Sequence, residues 1–146
     1  NDSWEVISGM DAGLGWPLIH RGNFSKGNLS LFVVPDNFAD LYNLPDAALN
    51  RIRDLVSART LPYTIEGPNN VSLYVYDNNT IVVESFHDEE ITINVVAAPT
   101  AKNSAKDMLS GEVISGEKRA AVYRTPEKVA YAVNLKPHSY KVIRFE

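Results

Sequence analysis

The stretch NVSLYVYDNNTIVVESFHDEEITINVVA, residues 70–97, determines how this chain folds. Apolar side chains alternate with polar or aromatic ones in residues 71–76, 81–86 and 91–95. Successive side chains of a strand point to opposite faces of a sheet, so a period of two is typical of a half-buried strand. The stretch therefore predicts three consecutive strands.

Polar breaks separate these strands. Asp77, Asn78 and Asn79 end the first strand, and residues 87–90, with the sequence HDEE, end the second. Asp and Asn tolerate left-handed backbone angles and bond their own main chain, so they suit tight turns between antiparallel neighbours. We therefore predict a β-meander over the whole stretch.

One helix is predicted upstream, from Pro45 to Ala58. Pro45 suits the first helical position, and Asp46 lies where the helix dipole favours an anion. An apolar stripe recurs at helical spacing. It consists of Ala48, Leu49, Ile52, Leu55 and Val56. We expect this stripe to pack on one face of the sheet.

Short strand-like segments flank the stretch and the helix on both sides. They are residues 4–7, 28–35, 60–66, 118–124, 129–135 and 140–145. Glycines between residues 9 and 15 predict a loop, and Asp36 is expected to cap a single helical turn that reaches Tyr42. Segment 28–35 is apolar on both faces near its end, as in a buried strand.

Many short strands are typical of a sandwich. The predicted fold is mainly β, with an α+β N-terminal half: an antiparallel β-sandwich with one packed α-helix. We expect a single domain over residues 1–146. The alternative is a helix-containing segment 1–66 packed on a β-sandwich of residues 67–146. Because Asn1 stands where an initiator Met would, we also expect a piece of a longer protein.

The composition excludes several classes of protein and of binding site. The 146-residue chain has no cysteine, which excludes a disulfide framework and a thiolate metal site. Its formal net charge is −4. Acidic and basic residues are mixed along the chain without a basic run, which argues against nucleic acid and membrane as partners. No apolar run approaches the roughly 20 residues that cross a bilayer. We predict no cofactor, and the composition does not indicate a compartment.

No catalytic or metal-binding pattern is present in the sequence. His20, His87 and His138 are far apart, without a partner at ligand spacing. A nucleophile elbow is missing as well. Four acids lie near apolar segments, but a glycosidase pair needs a separation that sequence does not show. These acids are Asp36, Asp40, Glu66 and Glu84. The sequence therefore predicts no metal site and no catalytic residue of its own.

Aromatic side chains are the remaining candidates for a binding site, because a flat ring with a polar tip suits the C–H face of a sugar. Trp16 and His20 follow the glycine-rich segment, where a ligand could approach closely. With Tyr42, they form the carbohydrate-binding edge that the sequence predicts.

Two motifs in the second half resemble a known family. Residues 107–112, DMLSGE, resemble the "D-L-[ST]-G-E" hairpin, and residues 135–144, LKPHSYKVIR, resemble the "L-x-P-H-S-x-x-V-x-R" closing strand. Residues 76–86 are similar to the central hairpin of the same domains. All occur in the all-β domains that end many bacterial glycoside hydrolases, and the resemblance covers residues 70–146.

The resemblance implies a non-catalytic accessory domain, because the catalytic acids of such proteins lie upstream in a barrel. The implied partner is the upstream catalytic domain of the same polypeptide, on which this chain would pack or which it would orient. An autonomous carbohydrate-binding module is the alternative. A small glycan hydrolase with paired carboxylates is a further one.

Overall fold

The computed structural model describes residues 3–11, 14–34, 36–57, 60–98, 104–121 and 126–146, and their side chains from Pro17 onward. By its internal contacts the chain divides into two compact units, Asn1–Leu44 and Pro45–Glu146. No helix in the described ranges is long and apolar enough to cross a membrane.

The N-terminal unit contains a three-stranded antiparallel sheet of order β1-β2-β3. Its elements are β1 (Ser3–Asp11), β2 (Leu14–Phe24), β3 (Gly27–Phe32) and a 3-10 helix (Phe38–Asn43). Two glycines of the segment predicted as a loop lie in strands instead, since Gly9 of β1 pairs with Trp16 and Gly15 of β2 pairs with Met10, whereas Gly13 lies outside the described residues. Main-chain pairing needs no side chain, so these glycines are accommodated in strands.

Two further predictions for this unit are wrong. The apolar segment predicted to be buried is exposed at Leu29, Leu31 and Val33, because β3 is the outer strand of its small sheet. The 3-10 helix is capped by Asn37 rather than Asp36, since the Asn37 side chain accepts a hydrogen bond from the Ala39 N–H at 3.2 Å. An amide oxygen serves as well as a carboxylate in this role.

The C-terminal unit is an eight-stranded antiparallel sheet with one helix. Its elements are α1 (Asp46–Ser57), β4 (Tyr63–Glu66), β5 (Val71–Val75), β6 (Thr80–Ser85), β7 (Ile91–Ala97), β8 (Ser104–Asp107), β9 (Val113–Arg119), β10 (Lys128–Leu135) and β11 (Tyr140–Phe145). The strand order is β4-β7-β10-β9-β8-β11-β6-β5, and the two outer strands approach each other. The sheet is thus nearly closed, and the predicted mainly β class with one packed helix is confirmed.

The alternation in the sequence places the core on the inner face of this sheet. Ile81 and Val83 of β6, Ile93 and Val95 of β7, and Tyr131 of β10 are each at most 1% exposed. Aromatic side chains from β4, β10 and β11 meet in this core. Phe145 stacks on Tyr63 with centroids 4.2 Å apart and meets Tyr131 edge to face at 5.0 Å, a geometry that adds to the stabilisation from burial.

The predicted meander is only half correct. β5 and β6 form the expected hairpin, and Asn79 in its turn has a positive φ of 61°. β6 and β7 do not pair, however: β6 pairs with β11, whereas β7 pairs with β4 and β10. The polar break at residues 87–90 is therefore a crossover between the two halves of the sheet. A period of two fixes which face is buried but not which strand is the neighbour.

The helix is confirmed over Asp46–Ser57, with Ala58 outside the described residues, but it faces the sheet with polar residues. The Arg53 guanidinium donates to the carbonyls of Gly67 and Pro68 at 2.7 and 2.6 Å, and Asn50 Oδ1 accepts from the Gly67 N–H at 2.9 Å. The loop after β4 has backbone groups that require partners, and the helix supplies them. Burial lowers the pKa of Arg53, against the opposing effect of Asp46.

The predicted packing of the apolar stripe on the sheet is therefore wrong. Residues 50, 53, 54 and 57 share one helix side by their spacing, and Asp54 on this side bonds Lys128 of β10 at 2.8 Å. The stripe lies on a different side of the helix, where Val56 is 66% exposed and the other four residues are half-buried. Amphipathic spacing predicted the helix correctly but not which side contacts the strands.

A glycine in β9 gives the first testable prediction. A Cβ built on Gly116 would lie 2.7 Å from both Tyr131 Cε1 and Val129 Cγ1, which belong to fully buried side chains. We expect Gly116→Ala to lower the free energy of unfolding by about 1–3 kcal/mol, because overpacking displaces core side chains. Urea unfolding measures this change. Ser115→Ala, on the exposed face of the same strand, is the matched control, and equal effects of the two would contradict the prediction.

A second prediction concerns alkaline pH. Burial raises the pKa of Tyr63 and of Tyr131, so the folded state favours the neutral phenols. This stabilisation is complete below the ordinary tyrosine pKa of about 10 and is lost as the pH rises through the higher pKa of the folded state. We expect Tyr63→Phe to flatten the loss of stability above pH of about 10, measured by urea unfolding across pH. If the free energy of unfolding fell with pH as steeply in Tyr63→Phe as in the wild type, burial of the Tyr63 phenol would not be the cause of the loss.

Candidate functional site

The two motifs of the second half meet at one end of the eight-stranded sheet. Asp107 pairs with Ile143 across β8 and β11, and the Met108 N–H donates to the Val142 carbonyl at 2.7 Å. Strand pairing thus places the β8–β9 turn beside the β10–β11 turn.

Asp107 holds the first turn in place. Its carboxylate is 2% exposed and accepts hydrogen bonds from the Leu109 N–H at 3.1 Å and from the Ser110 hydroxyl at 2.6 Å. Gly111 has a φ of +79°, which a residue without Cβ adopts readily. The buried charge is thus compensated locally, and Asp107 has a structural role in this turn.

The second turn is bonded to a third loop. The Ser139 hydroxyl donates to the Lys136 carbonyl at 2.7 Å, and the His138 N–H donates to the His87 carbonyl at 3.1 Å. The His138 ring lies 2.8 Å from Asp88 Oδ1. These bonds connect the β10–β11 turn to the crossover loop at residues 87–90.

A groove of about 450 Å³ lies at this end of the sheet. Its lining combines carboxylates, cations, an amide and one aromatic ring. The residues that give it this character are Glu90, Glu112, Asn134, Lys136, Tyr140 and Lys141. Two pairs are bonded within it: Lys141 Nζ to Glu112 Oε2 at 2.6 Å, and Asn134 Nδ2 to Glu90 Oε1 at 2.7 Å. The groove therefore offers donors and acceptors beside an aromatic surface.

The opposite end of the sheet has a smaller crevice of about 220 Å³, with mainly apolar walls. The ion pair of Asp54 and Lys128 lies in its wall. Its chemistry is that of packing rather than of a reaction, so the larger groove is the better candidate site.

The outer face of β5, β6, β11 and β8 carries a second surface of interest. Tyr74 pairs with Val82, Val82 pairs with Val142, and Met108 bonds the Val142 carbonyl through its N–H. These four residues form a row across β5, β6, β11 and the start of the turn after β8, which we call the apolar row. Tyr74 is 49% exposed and Met108 46%.

The sequence-predicted carbohydrate edge lies in the N-terminal unit. Trp16 is in β2, but its side chain lies outside the described residues. His20 is half-buried in the same strand, opposite Leu31, and Tyr42 is an exposed residue of the 3-10 helix. This binding site remains a prediction.

Sequence reasoning missed the groove, although it singled out the two motifs that form it. Glu112 and Lys141 belong to one motif each, and the shared family pattern was the available signal. Among the described residues, no group of three or more His, Asp or Glu side chains is arranged to hold a metal ion.

A comparison with family models identifies the family of this chain. Residues 62–145 match the model described as "Probable glycosyl hydrolase, C-terminal domain". The chain belongs to this family. The match includes both motifs and more than half of the chain, which confirms the resemblance noted in the sequence. Searches of curated proteins and of solved structures gave no match. The glycosyl hydrolase C-terminal domain is thus an accessory domain of a glycoside-hydrolase-like protein.

The turn at Asp107 gives a further prediction. We expect Asp107→Ala to lower the free energy of unfolding by about 1–3 kcal/mol, because the Leu109 N–H and the Ser110 hydroxyl lose their acceptor. Urea unfolding measures the change. Lys106→Ala, an exposed neighbour on β8, is the control. If the two variants were equally stable, the carboxylate would not be holding the turn.

Proposed function

We propose that this domain is non-catalytic and that it packs on, and orients, the catalytic domain of the same polypeptide. The observation that carries this proposal is the apolar row, which lies on an exposed sheet face. The outward side of a solvated antiparallel sheet usually carries polar side chains, and a contiguous apolar patch is typical of an interaction surface.

The residue types in and beside the row support a protein partner. Tyr, Met and Arg are enriched in the cores of protein interfaces, whereas Lys and Glu are depleted there. The row contains Tyr74 and Met108, and Tyr76 follows Tyr74 on the same face with 54% exposure. Arg144, Lys106 and Glu84 surround it by the strand register. This is an apolar centre with a charged rim.

The bonding of the acids supports a non-catalytic role. Glycoside hydrolysis requires two carboxyl groups that face the scissile bond from two sides. Glu112 is bonded to Lys141, Glu66 to Arg119, and Asp107 to its own turn. Each of these acids is thus already engaged within the domain. We therefore infer that the reaction belongs to another part of the polypeptide.

Binding of the separately produced catalytic domain tests this proposal. We expect Tyr74→Glu to weaken binding of this chain at least about tenfold, because a charge would be buried in the apolar row. Isothermal titration calorimetry gives the dissociation constants. Thr92→Glu, an exposed position on β7, is the matched control. No binding of the folded wild-type chain, or equal loss in both variants, would refute the packing role.

A further inference from the structure

We propose that the groove between the β8–β9 and β10–β11 turns is a binding site for a neutral carbohydrate, with a sugar ring stacked on Tyr140. The groove shares no residue with the apolar row, although Tyr140 lies two positions before Val142 on the same strand, and the site does not depend on the packing role. Its volume of about 450 Å³ falls in the range of ligand-binding clefts.

The charges of the lining indicate a neutral ligand. Three acids, Glu90, Asp107 and Glu112, face two lysines, Lys136 and Lys141. Asp107 is bonded within its own turn, so two exposed carboxylates balance two lysines, and no excess of positive charge favours a phosphate or a carboxylate ligand. A cation gains little from Glu112, because Lys141 already neutralises it at 2.6 Å. A neutral molecule with many polar groups fits this balance best.

The bonded pairs match the chemistry of sugar hydroxyls. Each hydroxyl both donates and accepts a hydrogen bond, and a carboxylate next to an ammonium or amide offers one acceptor and one donor side by side. The pairs Glu112–Lys141 and Glu90–Asn134 have this arrangement. The second oxygen of each carboxylate accepts no hydrogen bond from the residues that the structure describes. These oxygens are available to ligand hydroxyls, and bonds to a charged acceptor are the stronger ones.

Tyr140 supplies the flat surface that a sugar ring requires. It lines the groove and is 54% exposed. A phenol ring combines an apolar face with a polar tip, so it can contact the C–H groups of a sugar and bond a hydroxyl. Leu109, at 64% exposure, extends the apolar edge of the groove.

The walls of the groove are fixed before any ligand binds. Asp107 bonds the first turn, Ser139 bonds the Lys136 carbonyl, and the His138 N–H bonds the crossover loop. The bonded pairs also restrict each other's side chains. A ligand therefore binds with little loss of conformational freedom in the protein.

Affinity electrophoresis in gels that contain soluble neutral polysaccharides tests the site. The panel is a β-glucan, a xylan, a galactomannan and an arabinogalactan, with polygalacturonate as the anionic probe. We expect the wild-type chain to be retarded by at least one neutral polymer and Tyr140→Ala to bind it at least about tenfold more weakly, the loss typical of a central contact. Tyr76→Ala is the matched control, because Tyr76 is equally exposed, at 54%, and lies outside the groove.

A second variant tests the hydrogen-bonding pair. Glu112→Gln keeps the shape of the side chain and removes its charge, and we expect it to weaken binding with an unchanged thermal unfolding midpoint. No retardation of folded wild type by any neutral polymer, retardation by polygalacturonate alone, or equal loss in the Tyr140 and Tyr76 variants would overturn the proposal. Glu112→Gln leaves the apolar row and its rim unaltered, so binding of the catalytic domain by this variant can be measured independently.

Discussion

The packing of aromatic rings inside the eight-stranded sheet is the constraint on which the rest of the C-terminal unit depends. Tyr131 lies opposite Gly116, where any Cβ would meet its ring, and its edge meets Phe145, which stacks on Tyr63. These contacts connect β9 and β10 with β11 and β4, and they bring β4, at one edge of the sheet, next to β11 on the far side of β8. They support the nearly closed sheet, in which the pairing of β8 with β11 brings the two turns at one end together.

This convergence explains why two short motifs form a groove. Most residues of the β8–β9 and β10–β11 turns are exposed. Each turn is held by hydrogen bonds, such as those of Asp107 and His138. The helix follows the same principle, since Arg53 and Asn50 attach it to the loop after β4 through backbone groups. Apolar burial holds the strands together, whereas directed hydrogen bonds position the helix and the turns.

The domain presents two surfaces of different chemistry. The apolar row extends over three strands and the turn after β8, which suits a large protein partner. The groove is polar and bounded by fixed turns, which suits a small polar ligand. An accessory domain that both contacts its catalytic partner and holds a polysaccharide nearby would raise the local concentration of substrate without a reactive group of its own.

The sequence by itself determined the family and most local elements of the C-terminal unit, but it placed a strand at residues 118–124 where the structure has β9 at Val113–Arg119. Alternation located β5, β6 and β7, helical spacing located α1, and β11 has the bounds that its pattern predicts. These signals are local, so one chain suffices to find them. Only the tertiary structure decided that β6 pairs with β11 rather than β7, that the polar side of α1 contacts the sheet, and that Glu112 meets Lys141. Each depends on contacts between residues distant in the chain, and periodicity carries no information about which distant strand becomes the neighbour.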